Sequence, residues 1–172
     1  MHGDPRVQIR PARESDAASG CDAVNAVAAE KWYLATVDGF SLEQTRTFLR
    51  RVIDGSLPQV LAVVGDEVVG FCDILPNPVK GFTHVGRLGM GVRLEWRRQG
   101  IGRRMLEACL SLARCAAIEK VELEVFSDNV GAIRLYESIG FSPEGLKGSR
   151  SKTREQVSGR QTYGVMALIA QR

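Results

Sequence analysis

Histidine is scarce in this chain: His2 and His84 are the two present, and the four cysteines (Cys21, Cys72, Cys109, Cys115) have no metal-ligand spacing. Zinc sites are built from clustered His and Cys ligands, so no metal is expected. Long apolar runs are also missing. None approaches the roughly 18 residues that span a bilayer, and no charged-then-apolar leader opens the chain. The expectation is a cytoplasmic protein with reduced thiols and no membrane partner. Charge of one sign is in small excess, with 23 Lys and Arg against 20 Asp and Glu and a net charge of +3. Aromatics are 6% of residues and are not interleaved with the basic ones, which argues against a nucleic-acid partner. No repeat or low-complexity linker divides the chain, so residues 1–172 are expected to form one domain. With 172 residues, 44% of them hydrophobic, the chain can build a core without staples.

The periodicity yields eleven elements. Val7 to Ile9 suits a short strand, and Ser15 or Asp16 can cap a helix through Ala17, Val24 and Val27. Ser41 and Gln44 have capping-box spacing before a second helix that carries Leu42, Thr45, Phe48, Leu49 and Val52 and stops at Gly55. Val60–Val64 and Val68–Leu75 form a hairpin about Gly65-Asp66-Glu67, closed by Pro76-Asn77-Pro78. Val85–Val92 is a strand whose three glycines point to a bulge or a close backbone approach. From Gly100 the period becomes helical, with Ile101, Met105, Ala108, Cys109, Leu112 and Ala116 on one stripe. A half-buried strand (Val121, Leu123, Val125), a helix (Ile133, Tyr136, Ile139, stopped by Gly140) and strands near Phe141–Leu146 and Thr162–Ile169 complete it. The order β-α-α-β-β-β-α-β-α-β-β predicts an α/β (α+β) fold with a mixed, mostly antiparallel sheet of about seven strands and about four helices.

The segment that carries chemistry is Arg97-Arg98-Gln99-Gly100-Ile101-Gly102-Arg103-Arg104. It follows a strand and opens a helix, where unbonded N–H groups and the positive helix end attract an anion. Gly100 and Gly102 let phosphate oxygens approach those amides, and the arginines add charge-assisted hydrogen bonds. A pyrophosphate fits. The dinucleotide fingerprint fails because Met105 occupies its third glycine, and a P-loop fails for want of Gly-Lys-Ser/Thr. The second basic group, Lys147, Arg150, Lys152 and Arg154, reads as a solvated loop.

Arg97-x-x-Gly100-x-Gly102 resembles the acyl-CoA-binding motif of the GNAT superfamily of N-acetyltransferases. Leu88-Gly-Met-Gly-Val92 resembles the strand before it, Glu122-Leu-Glu-Val-Phe-Ser-Asp-Asn129 the next strand and turn, and Ala132-Ile-Arg-Leu-Tyr136-Glu-Ser-Ile-Gly-Phe141 the following helix and strand entry. The resemblance covers Val7 to Ile169 and is strongest from Gly86 to Phe141. It implies a sheet with splayed central parallel strands and acetyl-CoA as co-substrate. Met90, Gly91 and Val92 would pair with the pantetheine arm. The amides of Arg98, Gln99, Gly100, Ile101, Gly102 and Arg103, beside Arg97, would cradle the pyrophosphate. Asn129 and Ala132 would flank the cofactor in the gap, and Tyr136 would lie near the sulfur.

Acetyl transfer to an amine requires the ammonium, with a pKa near 10.4, to lose a proton to some base. Tyr136 is the candidate acid for the leaving thiolate. For the base, Glu124 and Glu30 come first and Asp73 and His84 follow. Glu30, Trp32, Tyr33 and Asp73 are candidate acceptor contacts, with Phe40 beside them. The stretch Val157-Ser-Gly-Arg-Gln161 departs from the Asp-Gly-containing hairpin common in similar proteins, so no substrate transfers by resemblance. Three functions stay open: acetylation of a small-molecule or amino-acid amine, acetylation of a protein or peptide, and a non-catalytic acyl-CoA-binding module. A homodimer joined through the final strands is an option the resemblance leaves open.

Overall fold

The computed structural model describes residues 7–30, 39–147 and 163–169. Seven strands and four α-helices occupy them: β1 (Gln8–Arg10), α1 (Ala17–Ala29), α2 (Leu42–Asp54), β2 (Gln59–Val64), β3 (Glu67–Pro76), β4 (Val85–Val92), α3 (Ile101–Cys115), β5 (Lys120–Phe126), α4 (Val130–Ile139), β6 (Ser142–Lys147) and β7 (Tyr163–Ile169). The expected element order holds throughout. Three short 3-10 turns, at Glu14–Asp16, Lys80–Phe82 and Leu94–Trp96, were not anticipated. The sheet runs β1-β2-β3-β4-β5-β7-β6. Its pairs are antiparallel except β4 with β5.

Alternation along the strands decides the layers. Val60, Ala62, Cys72, Ile74, Leu88, Val121, Leu123 and Val125 pack with Met105, Leu106 and Cys109 of α3 and with Tyr136 of α4. Leu61, Val63 and Phe71 point the other way, against Ala23 and Val27 of α1. Met105 and Leu106 are completely buried, each contributing roughly 1.5–3 kcal/mol by leaving water. No helix among the described residues is long and apolar enough to cross a membrane.

Helix ends follow local chemistry, with two corrections. The capping box of α2 forms as its spacing predicts: Ser41 Oγ accepts from Gln44 N at 3.1 Å, and Gln44 Oε1 accepts from Ser41 N at 2.8 Å. Gly55 caps that helix with a right-handed φ of −84°, and the positive φ falls one residue later at Ser56. Asp16 makes no side-chain cap on α1. Its carboxylate instead accepts two bonds from Arg10, both at 2.7 Å, and one from Arg13 N at 2.7 Å. The Arg10 hydrogen bonds hold its pKa below the usual carboxylate range.

That pair fastens β1 to the start of α1, with the Asp16 side chain 7% exposed and that of Arg10 19% exposed. Replacing a paired, nearly buried carboxylate strands its partner charge, so Asp16→Asn should lower stability at pH 7 by about 2 kcal/mol. A depressed carboxylate pKa contributes stability above the unfolded-state value and loses it as pH falls through the folded-state value. Urea titrations should therefore show the gap between wild type and variant closing only as pH falls below the ordinary carboxylate range.

Candidate active site

The sheet opens at its centre. β4 and β5 pair through three register positions, Val85–Lys120, Gly86–Val121 and Arg87–Glu122. Beyond them β4 stays on β3 as far as Val92 opposite Gly70, while β5 stays on β7 as far as Phe126 opposite Tyr163. Residues 88–92 therefore present one strand edge without a strand partner, which is where an extended ligand can add its own hydrogen bonds. Gly91 is fixed in place by packing, because a Cβ there would stand 2.6 Å from Phe71 Cζ.

An anion cradle lies at the mouth of this opening. Arg98 and Gly100 take positive φ values of 62° and 76°, turning the chain tightly before α3. None of the N–H groups from Arg98 to Arg103 donates to another described residue; the first backbone bond of the helix runs from Arg104 N to Gly100 O. Six amides without a partner among the described residues thus lie at or just before a positive helix end. A Cβ on Gly100 would meet nothing within 4 Å, and one on Gly102 would reach only ordinary contact with Leu135 and Met90 at 3.4 and 3.5 Å. Gly100 is required for its left-handed backbone, and its surroundings leave room for a guest.

The loop arginines divide by partner. Arg97 donates to both oxygens of Glu30, at 2.9 and 2.6 Å, and to the carbonyl of Val92 at 2.7 Å. Arg103 is shared by Glu107 at 3.1 Å and Ser138 Oγ at 2.6 Å. Arg98 is exposed and makes no ion pair or hydrogen bond with a described residue, so its charge is available to a ligand. Asn129 caps α4 by accepting from Ala132 N at 3.2 Å.

Tyr136 is 8% exposed and packs against Phe141 with ring centroids 5.7 Å apart. Its hydroxyl makes no hydrogen bond to a described residue. Burial, then the nearby Cys72, raises the phenol's pKa well above its usual value, so it stays protonated and able to donate. The candidate bases fare unequally. Glu30 is engaged by Arg97, and Glu124 stands 3.1 Å from Arg87. Asp73 on β3 faces the α1 side, bonds to no described residue, and is pushed up to about 7 by desolvation.

His84 drops out as a base. It precedes β4 at the end away from the opening, where its carbonyl accepts from Glu119 N and Lys120 N. Phe40 is 43% exposed and is held through its backbone by Asn25 rather than closing a pocket. Trp32, Tyr33 and the stretch 157–161 lie outside the described residues. Sequence reasoning missed the Arg97–Glu30 and Arg87–Glu124 pairs, since residues 67 and 37 positions apart leave no local signal. A separate recess of about 560 Å³, lined by Leu110, Arg114, Ile118 and Ile139 among others, lies at the opposite end of β5.

A split parallel pair with an anion cradle at the following helix is the architecture of the GNAT fold. Structural neighbours agree: an acetyltransferase of the GNAT family from Streptococcus pneumoniae superposes with a TM-score of 0.86, at 23% identity over 95% of this chain and 99% of that one. The protein yncA of Salmonella typhimurium, solved with its cofactor acetyl-CoA, gives 0.87 at 17% identity over 97% of this chain and 95% of that one. Among curated relatives, the L-amino acid N-acetyltransferase AaaT of Escherichia coli K12 is 32% identical over 93 residues, 52% of this chain and 56% of that protein. The N-alpha-acetyltransferase RimI of Mycobacterium tuberculosis is 35% identical over 94 residues, 48% and 55% of the two chains. Each of these two matches spans about half of the relative's length. The family model for the acetyltransferase (GNAT) family matches residues 26–141, and the chain belongs to that family.

Asp73 gives a stability test. Its folded-state pKa lies above the unfolded value, so the folded state binds the extra proton between about pH 4 and pH 7 and stability falls as pH rises through that window. Asp73→Asn removes this half-buried, desolvated charge. The variant should exceed the wild type by about 2 kcal/mol at pH 8, with the difference vanishing below pH 4, in urea melts.

Proposed function

We propose that the protein is an acetyl-CoA-dependent N-acetyltransferase acting on a primary amine of a small molecule or amino acid. The observation that carries this reading is the run of six free amides, Arg98 to Arg103, at the mouth of an open strand edge. A pyrophosphate needs several convergent donors, and an extended pantetheine arm needs an edge to pair with; the two lie end to end here. Acetyl-CoA supplies the activated acetyl group as a thioester.

The roles then follow from position. Arg93 N bonds back to Val69 O, so by strand alternation the backbone groups of Met90 and the N–H of Val92 turn to the open edge for the arm and an oxyanion, while Gly91 pairs with Phe71 and the Val92 carbonyl is taken by Arg97. Arg98 neutralises phosphate charge. Arg97, tied to both Glu30 and Val92, holds the end of α1 against β4 and so fixes the wall beside the opening. Tyr136 donates to the leaving sulfur: a thiolate with a pKa of roughly 8.5 is a weaker base than a phenolate, so this transfer requires the buried phenol to be placed at the sulfur as charge develops. Relatives named as amino-acid and as N-alpha acetyltransferases support acetylation of an α-amine and favour a second reading in which a protein N-terminus is the acceptor.

Calorimetric titration with acetyl-CoA tests the core of this. The wild type should bind, and Gly100→Ala combined with Gly102→Ala should weaken binding at least tenfold. That variant should melt at a slightly lower temperature, because Gly100 holds a left-handed conformation that costs an L-residue about 1 kcal/mol. Tyr136→Phe should keep the cofactor affinity and lower thiol release tenfold or more. Wild-type protein that fails to bind acetyl-CoA at millimolar concentration would overturn the reading.

A further inference from the structure

One cross-strand row of polar residues runs through the sheet at the level where it opens. Gln59 of β2 is opposite Asp73 of β3, and Asp73 is opposite Gly89 of β4. Arg87 pairs with Glu122, so Gly89, two residues on, stands level with Glu124 across the gap. All four positions share the face turned toward α1, since Leu61 and Phe71, two residues along their strands, pack on Val27 and Ala23. Between the carboxylates of Asp73 and Glu124 stands a residue without a side chain. Two strand spacings, roughly 10 Å and wider where strands part, separate them. A Cβ added at Gly89 would lie 3.4 Å from Asp73 Oδ1, so the carboxylate leans over the bare backbone of β4.

The charges around this row are unevenly satisfied. Glu124 has Arg87, and Glu30 has Arg97. Glu122 shares Lys120 with Glu144 at the paired end of β5. Asp73 has no cation or hydrogen-bond donor among the described residues, and its neighbour Cys72 is on the opposite face, packed with α3. Gln59, 5% exposed, has a buried amide oxygen that accepts no hydrogen bond. The unmet acceptor of Gln59 costs roughly 1–3 kcal/mol, and the half-buried carboxylate of Asp73 beside it has no donor to offset its desolvation. Such a pair suits a site that receives a proton during its work.

Building on the acetyl-transfer reading, we propose that Asp73 is the general base, taking a proton from the acceptor's ammonium over Gly89, with Gln59 beside it to accept from the protonated carboxyl. Asp73 removes one proton from R–NH₃⁺, and the freed nitrogen lone pair forms a C–N bond to the thioester carbon. The C–S bond breaks, and the sulfur takes the phenol proton of Tyr136. The nitrogen's second surplus proton returns, through water, to the Tyr136 phenolate. Asp73 releases its proton to solvent, so that R–NH₃⁺ and acetyl-CoA give R–NH–acetyl, CoA–SH and one H⁺. A base whose pKa lies near neutrality keeps its carboxylate form at working pH while remaining strong enough to accept the proton.

The test is a pH–rate profile of the wild type, Asp73→Asn and Asp73→Glu. Thiol release is followed with the twenty L-amino acids and a hexapeptide beginning in alanine, and acetyl-CoA binding is measured in parallel. The Asn variant should bind acetyl-CoA within about twofold of the wild type and lose about 100-fold in kcat/KM at pH 7, with a rate that climbs about tenfold per pH unit up to pH 9. The wild-type rate should level off above about pH 7, and the Glu variant should recover part of the loss with a levelling profile. An Asn variant within threefold of the wild type at every pH would overturn the assignment while leaving the acetyl-transfer reading intact. If no probe is turned over, carbon-13 titration of aspartate carboxyls in the acetyl-CoA complex decides. A resonance absent from Asp73→Asn with a midpoint near 7 upholds the proposal, and a midpoint near 4 defeats it. Failure of the wild type to bind acetyl-CoA falls on the underlying reading instead.

Discussion

Everything at this site depends on β4 and β5 parting after three paired residues. A parallel pair that continued would satisfy its own backbone and leave no room for a ligand. Here each strand stays anchored on its outer neighbour, β4 on β3 and β5 on β7, so the sheet does not unravel when the inner pairing stops. The cost of unsatisfied strand groups is confined to residues 88–92 and the facing part of β5. Those groups can reach water in the free protein, which keeps that cost modest, and a bound extended chain can satisfy them.

The anion cradle inherits its place from that opening. Because β4 ends at Val92, the chain must turn before α3, and it does so through two left-handed residues, Arg98 and Gly100. The turn leaves the first N–H groups of α3 without partners among the described residues. Arg97 then closes the geometry, since one guanidinium holds the last carbonyl of β4 and the carboxylate of Glu30 beyond α1. The end of β4, the approach to α3 and the residue after α1 are thereby tied through one planar group with five donors.

Ion pairing sorts the carboxylates. Glu30 and Glu124 each face a guanidinium, which offsets their desolvation, whereas Asp73 meets the low-dielectric face of the sheet alone. A desolvated carboxylate without a partner is unfavourable for folding and useful for proton transfer, for the same electrostatic reason. Local sequence gives no hint of this contrast. Glu124 alternates with Leu123 and Val125 as any half-buried strand residue does, and Asp73 sits between Cys72 and Ile74 in the same way.

Local sequence was enough to set the elements and the turn ahead of α3. Strand alternation, the Ser41–Gln44 capping box, the helical stripe from Ile101 and the Gly100-x-Gly102 turn are all set by interactions within a few residues. Their signals are therefore written in adjacent letters. Asp16 was the local exception: it reads as a helix cap, but Arg10 competes for it across the β1–α1 turn. Tertiary structure decided where the sheet parts, which arginine faces which carboxylate, and that Gln59, Asp73, Gly89 and Glu124 share one row. These depend on register between strands and on packing of α1 against the sheet. Such contacts join residues tens of positions apart, and no single segment encodes the energy of pairing with another.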